Sequence, residues 1–164
     1  MIYDIVVSGP VGLAGMLALA QNSRAVLDER YSTHYIDKAL KAADETMMLP
    51  QLKAELIYEI REGGIYAALW ETAQELHCGL RVSLYDIPVR QDTIEICNTL
   101  DADPYTLDSK GQYLIYVQNG LSAVEELKAS GFRDAALAGH STADKKRLII
   151  YGDVERFLTP PGRG

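Results

Sequence analysis

Two adjacent glycines, Gly63 and Gly64, separate an apolar-polar stretch from a long amphipathic segment, and this junction constrains the fold more than any other feature. Over residues 65–76, apolar side chains recur at the i, i+3, i+4 spacing of one helix face, which predicts a helix that Gly79 ends. Glycines at a helix start permit a sharp turn and leave backbone amides open to an anion. The pair therefore indicates either a tight turn, with Glu62 capping the amides, or a small phosphate or carboxylate site.

Hydrophobic periodicity along the rest of the chain predicts a mixture of strands and helices. Strands are expected over residues 4–8, 80–84, 113–117, 135–139 and 148–151, and helices from about residue 12 and over 35–43, 91–100 and 122–129. The last two strands are joined by a polar turn at residues 143–146. Such an arrangement predicts one compact domain, with a mixed sheet and helices packed on it.

Two local patterns are open to more than one interpretation. Residues 51–62 fit a helical stripe, which Pro50 is well placed to start, but their second half also alternates as a strand does. Gly9, Gly12 and Gly15 lack the Gly-Lys-Ser/Thr ending of a nucleotide loop and the spacing of the dinucleotide fingerprint. These glycines are expected to allow a helix to pack closely on a strand.

The charge of the chain argues against nucleic acid as a partner. Its formal net charge is −7, from 23 acidic and 16 basic residues, and the one basic cluster, at residues 145–147, has the pattern of a solvated hairpin turn. Cys78 and Cys97 are too few for a disulfide framework, and no secretion signal or membrane-length apolar run is present. We therefore expect a soluble, cytoplasmic protein that contacts no membrane.

A family resemblance is carried by three stretches of the sequence. Residues 62–71 (EGGIYAALWE) and 87–97 (IPVRQDTIEIC), with the opening run 4–15 (DIVVSGPVGLAG), are similar to the C-terminal domain of the aminoimidazole ribonucleotide (AIR) synthetase superfamily. The match covers nearly the whole chain and is closest to the hydrogenase-maturation-like, AIR-synthase-related group. It implies a three-layer α/β/α domain with a mixed, partly ferredoxin-like sheet.

The same resemblance implies what this chain lacks. In the family, ATP and magnesium are bound mainly by an N-terminal domain, which supplies the metal carboxylates and the glycine-rich segment and builds the usual dimer; that half is expected to be absent here. The strand before the double glycine departs from the family pattern, since Glu59 stands for aspartate and Arg61 for threonine. The C-terminal cysteine of the hydrogenase factor is also missing, so its carbamoyl-to-cyanide chemistry is not expected.

The candidate ligand-binding residues are therefore few, and no catalytic residue or metal ligand is predicted. They are Glu59, Glu62, Gly63, Gly64 and Arg90. Arg90 opens a helix, where a cation works against the helix dipole, so it either meets a phosphate or packs on neighbouring carboxylates. The three histidines have no metal-ligand spacing. Abundant tyrosines, among them Tyr31, Tyr35, Tyr58, Tyr66 and Tyr113, are compatible with a partner surface.

Three hypotheses about function follow. The chain is a stand-alone, non-catalytic domain that binds a small anionic, phosphate-like or nucleotide-like ligand or a protein partner. Alternatively, it is the C-terminal half of a split ATP-dependent enzyme whose ATP-binding domain is a separate chain, or a structural domain that self-associates. ATP and magnesium are not expected to bind well to this chain alone, and a two-fold homodimer is expected because the lost interdomain surface must be covered.

Overall fold

The computed structural model describes residues 1–45 and 47–161, in which the chain forms a mixed α/β fold. The strands are β1 (Asp4–Val7), β2 (Leu56–Glu59), β3 (Gly79–Ser83), β4 (Tyr113–Val117), β5 (Ala136–Thr142), β6 (Arg147–Tyr151) and β7 (Val154–Phe157). The α-helices are α1 (Leu13–Asn22), α2 (Arg24–Arg30), α3 (Thr33–Ala43), α4 (Gly64–Leu76), α5 (Gln91–Thr99) and α6 (Gly120–Ala129). Short 3-10 helices occupy Leu84–Asp86 and Pro104–Thr106. The prediction that the family's C-terminal cysteine is missing concerns the end of the chain, where residues 162–164 lie outside the described residues.

All seven strands form one sheet in the order β2-β4-β1-β5-β3-β6-β7. Only β3 and β6 are parallel, and every other neighbouring pair is antiparallel. The hairpin predicted at residues 145–147 is wrong, because β3 lies between β5 and β6 and pairs with both. The polar turn therefore carries the chain across β3, and Arg147 is the first residue of β6, with its guanidinium 4.5 Å from the centre of the Trp70 ring.

Helices cover both faces of the sheet, which confirms the predicted fold class. In β1, alternate side chains point to opposite faces: Ile5 and Val7 pack with α4, and Val6 packs with α6. A third apolar cluster joins α1, α2, α3 and α5 around Met16 and Ile96. Burial of these clusters is the main stabilising contribution to the fold.

Residues 51–62 do not form the helix that their composition favours. Leu56 to Glu59 pair with β4 as an antiparallel edge strand, and residues 51–55 have no regular secondary structure, with Leu52 packed on the α6 side of the sheet. Pairing with β4 satisfies one side of the β2 backbone, and Leu56 and Tyr58 pack, partly buried, against the core, so tertiary contacts override helix propensity. Helix α2 and strand β7 were not predicted, because α2 is short and all four β7 residues are exposed.

Helix α4 begins at the double glycine, as predicted, but it ends before Gly79. Its C-cap is His77, whose backbone is left-handed (φ 52°), and Gly79 is already the first residue of β3. At the other end, Gly63 and Gly64 are both left-handed, with φ of 91° and 70°. Gly64 is buried, and a Cβ placed on it would lie 2.4 Å from the Tyr105 carbonyl oxygen. The second glycine is therefore required by packing as well as by backbone conformation.

This double requirement at Gly64 can be measured against Gly111, which is also left-handed (φ 91°) but has open space where a Cβ would stand. Left-handed backbone alone costs an L-residue about 1–2 kcal/mol, and overpacking adds about 1–3 kcal/mol. Gly111→Ala should lower the free energy of unfolding by about 1 kcal/mol and Gly64→Ala by at least about 3 kcal/mol, measured by urea denaturation. Equal losses would show that contact with Tyr105 does not constrain Gly64.

Candidate functional site

The loops that carry the predicted site residues lie at one end of the strands of the sheet. Strands β1, β2 and β3 end there and β4 and β5 begin there, because β1 and β2 are antiparallel to β4 and β3 is antiparallel to β5. The segments at this end of the sheet are residues 8–12, 59–64, 84–90, 108–112 and 131–135. The structure thus brings Glu59 and Arg90 to the same end of the sheet, on loops that follow different strands.

Glu59 fastens the end of β2 to the start of β4. Its Oε2 accepts a hydrogen bond of 3.0 Å from the Gly111 amide, and its Oε1 lies 2.8 Å from the Arg61 guanidinium. The Gly111 hydrogen bond, followed by the charge of Arg61, holds the pKa of this carboxyl below its usual value. Both oxygens of Glu59 therefore have partners within the protein, which accounts for the residue without a ligand.

The start of α4 is partly accessible to an anion, but burial and charge there disfavour binding. Gly63 and Glu62 are exposed, so the first turn of the helix is accessible at this point. Gly64, in contrast, is buried under Tyr105 and Thr106. The exposed carboxylate of Glu62 beside this turn disfavours an anion there, because like charges repel.

Arg90 lies in a different place, at the wall of a charged cleft. Its Nε and an Nη atom lie 3.1 and 3.0 Å from the two carboxylate oxygens of Asp92, as expected if the residue packs on a carboxylate. These hydrogen bonds raise the pKa of the guanidinium. The Arg90 side chain nevertheless remains 36% exposed, whereas that of Asp92 is 14% exposed. Arg90 can therefore face a ligand while Asp92 fixes its position.

The cleft, which we call the Arg90 cleft, has two adjoining compartments. The outer compartment has a volume of about 880 Å³ and the inner one about 340 Å³, and Pro10, Arg90, Arg133 and Asp134 line both. Lys38 of α3 and Lys128 of α6 also line the outer compartment. Two helices and two loops that are distant in sequence thus gather four cations around one opening.

Three of these cations were missed in the sequence. Lys38, Lys128 and Arg133 sit in ordinary amphipathic or turn contexts, and no motif links them. Across residues 1–45 and 47–161, none of the three takes part in an ion pair. Of the three acidic groups in the outer compartment, Asp92 is paired with Arg90, Glu95 accepts a hydrogen bond from the Tyr35 hydroxyl, and Asp134 is exposed. Glu45, also exposed, lines the inner compartment.

The tyrosines singled out in the sequence do not form one surface. Tyr31 stacks on Tyr35 with ring centres 5.3 Å apart, and Tyr66 stacks on Tyr105 at 5.6 Å. A separate exposed apolar group lies on the β6–β7 hairpin and on the 3-10 helix Leu84–Asp86. This group, which we call the β7 edge, consists of Tyr85, Tyr151, Val154 and Phe157, each at least half exposed.

No helix in the described residues is both long and apolar enough to cross a membrane. The fold is that of a mixed α/β domain, and comparisons with known proteins confirm that the chain is similar to hydrogenase expression and formation proteins and shares its fold with solved structures of HypE and of a thiamine monophosphate kinase. No protein-family model matches the chain.

Two relatives and one solved structure illustrate this similarity. The chain is 26% identical over 118 residues to carbamoyl dehydratase HypE of Rhodobacter capsulatus, covering 72% of this chain and 34% of that protein. It is 24% identical over 157 residues to a putative hydrogenase expression/formation protein of Methanocaldococcus jannaschii, covering 94% of this chain and 46% of the relative. Escherichia coli HypE superposes with a TM-score of 0.76 at 22% identity, over 99% of this chain and 51% of that structure. The chain thus spans half or less of the length of the curated relatives it matches.

Proposed function

We propose that this chain is a non-catalytic binding domain for a small anionic ligand, held in the Arg90 cleft. The observation that carries the proposal is the convergence of Arg90, Arg133, Lys38 and Lys128 on one opening of a protein whose net charge is −7. Three of these cations are not neutralised by an ion pair within the described residues. Phosphate groups are bound by such clusters, because guanidinium and ammonium groups donate charge-assisted hydrogen bonds.

This proposal moves the ligand away from Gly63 and Gly64, where the sequence suggested it. At the double glycine, Glu62 is exposed and both oxygens of Glu59 have partners. In the cleft, Asp92 and Glu95 are already engaged by Arg90 and Tyr35, and the two exposed carboxylates, Asp134 and Glu45, stand among four cations. Of the predicted site residues, the proposal therefore retains Arg90 as a ligand contact and treats the others as structural.

A second candidate function is that of one half of an ATP-dependent enzyme. The observation that favours it is the length of the relatives, since a carbamoyl dehydratase and a hydrogenase expression/formation protein are each more than twice the matched span. In that case a separate chain supplies the ATP- and magnesium-binding half. Turnover of ATP would then appear only when both chains are present, whereas the binding domain alone would respond to anions without turnover.

The β7 edge supports self-association of the chain. Tyr85 and Tyr151 stack with ring centres 4.9 Å apart and are 68% and 50% exposed, and Phe157 at the same edge is 66% exposed. Clustered exposed aromatic side chains mark interaction surfaces, because their burial recovers hydrophobic free energy. We propose a two-fold homodimer that buries this edge.

Anion binding should appear as thermal stabilisation of the purified chain. Inorganic phosphate, ADP or magnesium-ATP at about a hundred times its Kd should raise the Tm by about 5–10 °C, which corresponds to about 2.7 kcal/mol. Arg133→Gln should remove most of this shift and leave the melting curve without ligand nearly unchanged, because Arg133 is exposed. Differential scanning calorimetry measures both quantities.

The matched control is Arg30→Gln, which removes an exposed arginine at the end of α2, outside the cleft. This variant should retain the full ligand-induced shift. A flat response of the wild-type chain to all three compounds contradicts anion binding, and a full shift in Arg133→Gln contradicts the proposed location.

Self-association should be visible by sedimentation velocity at tens of micromolar protein. We expect a dimer for the wild-type chain and a monomer for Tyr151→Ser combined with Phe157→Ser, since the variant loses apolar area at the β7 edge. Leu121→Ser is the control, because Leu121 is 68% exposed on α6, outside the β7 edge. A wild-type monomer at about 100 μM, or a dimer that resists the double substitution, contradicts this interface.

A further inference from the structure

Strand β7 has one side of its backbone unpaired. It is the last strand of the sheet and, in the part of the chain that the structure describes, pairs with β6 alone. The Leu158 amide donates to the Arg147 carbonyl of β6 at 2.8 Å, so this residue and those two and four positions before it face β6. The backbone groups of Glu155 and Phe157 therefore point away from the sheet. Free amides and carbonyls in such a row are a template for another strand.

The two charged side chains of β7 leave this edge open. Charged residues commonly keep free strand edges apart. Here, however, the Glu155 carboxylate lies 2.7 Å from the Arg81 guanidinium of β3, two strands further in, and Arg156 donates to the Tyr66 hydroxyl of α4 at 2.6 Å. Both charges are thus turned back over the chain's own sheet, while Phe157 remains 66% exposed.

The segment available for pairing extends beyond β7 itself. Leu158 is still bonded to β6, and Thr159 precedes Pro160, which restricts the threonine backbone to extended conformations. Pro160 in turn precedes Pro161, where the chain enters a turn. Between the hairpin turn at residues 152–153 and this second turn lie residues 154–160, and the midpoint of that segment is Phe157.

A second copy of this segment fits the first in one two-fold register. Two copies related by a two-fold axis pair antiparallel, so that the residue at the axis stands opposite itself. An axis at Glu155 or Arg156 would place like charges directly opposite each other, which destabilises a strand pair. An axis at Val154 or Leu158 would run each copy into a turn of the other. An axis at Phe157 avoids both problems and pairs the whole segment.

The register centred on Phe157 is complementary on both faces of the sheet. On one face the two Phe157 rings meet, and aromatic cross-strand pairs are stabilising. On the other face, Pro160 of the second copy stands opposite Val154 and beside Tyr151, the β6 partner of Val154. Exposed apolar side chains of the β7 edge thus meet apolar side chains, and no charge is buried without a partner.

We propose that two copies of this chain join antiparallel through strand β7, with the two-fold axis at Phe157, so that two seven-stranded sheets become one continuous sheet. The free amides and carbonyls of Phe157 pair with those of Phe157 in the second copy, and those of Glu155 pair with those of Thr159. This inference rests on the proposed self-association and adds the way in which the two copies meet.

Disulfide cross-linking of cysteine variants tests the register. Directly opposite residues in a hydrogen-bonded antiparallel pair have Cα atoms about 5.5 Å apart, within reach of a disulfide, whereas residues four positions out of register lie about 13 Å apart. Under mild oxidation, Glu155→Cys combined with Thr159→Cys should form a covalent dimer at least about tenfold faster than either single variant, because pairing raises the local thiol concentration. Electrophoresis without reductant measures the covalent dimer.

Phe157→Cys is a second variant, since its two cysteines face each other at the axis, and it should also cross-link. Arg156→Cys is the matched control, because its two cysteines lie two positions out of register, and it should stay at the rate of the wild-type chain. That rate gives the background of the native cysteines, of which Cys97 is buried and Cys78 partly buried.

Sedimentation of the same samples separates the possible failures. If the wild-type chain is a dimer but neither the double variant nor Phe157→Cys cross-links faster than Arg156→Cys, the register is overturned while self-association stands. Rapid cross-linking of Glu155→Cys alone or of Arg156→Cys would likewise overturn it, because either result places the axis at a charged residue. If the wild-type chain is a monomer, the proposed self-association fails, and this inference fails with it.

Discussion

The docking of residues 104–112 onto two glycine turns is the contact on which the rest of this structure depends. Ser109 Oγ accepts the Gly12 amide at 2.7 Å and the Asp108 carbonyl accepts the Gly15 amide at 2.9 Å, so this segment fixes the start of α1. The same segment covers Gly64 and so fixes the start of α4. Glycine is needed where backbone meets backbone this closely, because a Cβ at Gly12 would lie 2.6 Å from the Pro104 carbonyl oxygen.

This docking also shapes the end of the sheet at which we place the ligand. Because the segment ends in β4, it carries Gln112 to the turn after β1, where Ser8 holds the side chain. From there the cleft extends past Pro10 to Arg90 and Arg133. The docking of residues 104–112 thus fixes the starts of α1 and α4 and one wall of the proposed site. We expect changes at the glycine turns to alter the helix starts and the site together.

Local patterns were sufficient for most helices and strands but not for their pairing. The alternation of β4 and the apolar face of α4 identified those elements, yet the neighbours of β6 depend on a crossover that no local pattern records. The glycines at positions 12 and 15 were expected to pack a helix on a strand, whereas they contact residues 104–108. Similarly, Arg90 was recognisable because it opens a helix, but Arg133 and Gln112 gain their significance only from residues distant in sequence.

The central claim is that the Arg90 cleft, and not the double glycine, is where an anion binds. The most direct measurement is a two-dimensional amide NMR spectrum of the labelled chain, titrated with inorganic phosphate. We expect saturable shift changes in the amides of Gly9, Arg90, Gly131 and Arg133, which line the cleft. Changes confined to the amides of residues 63–66 at the start of α4 would contradict the account, as would the absence of any saturable change.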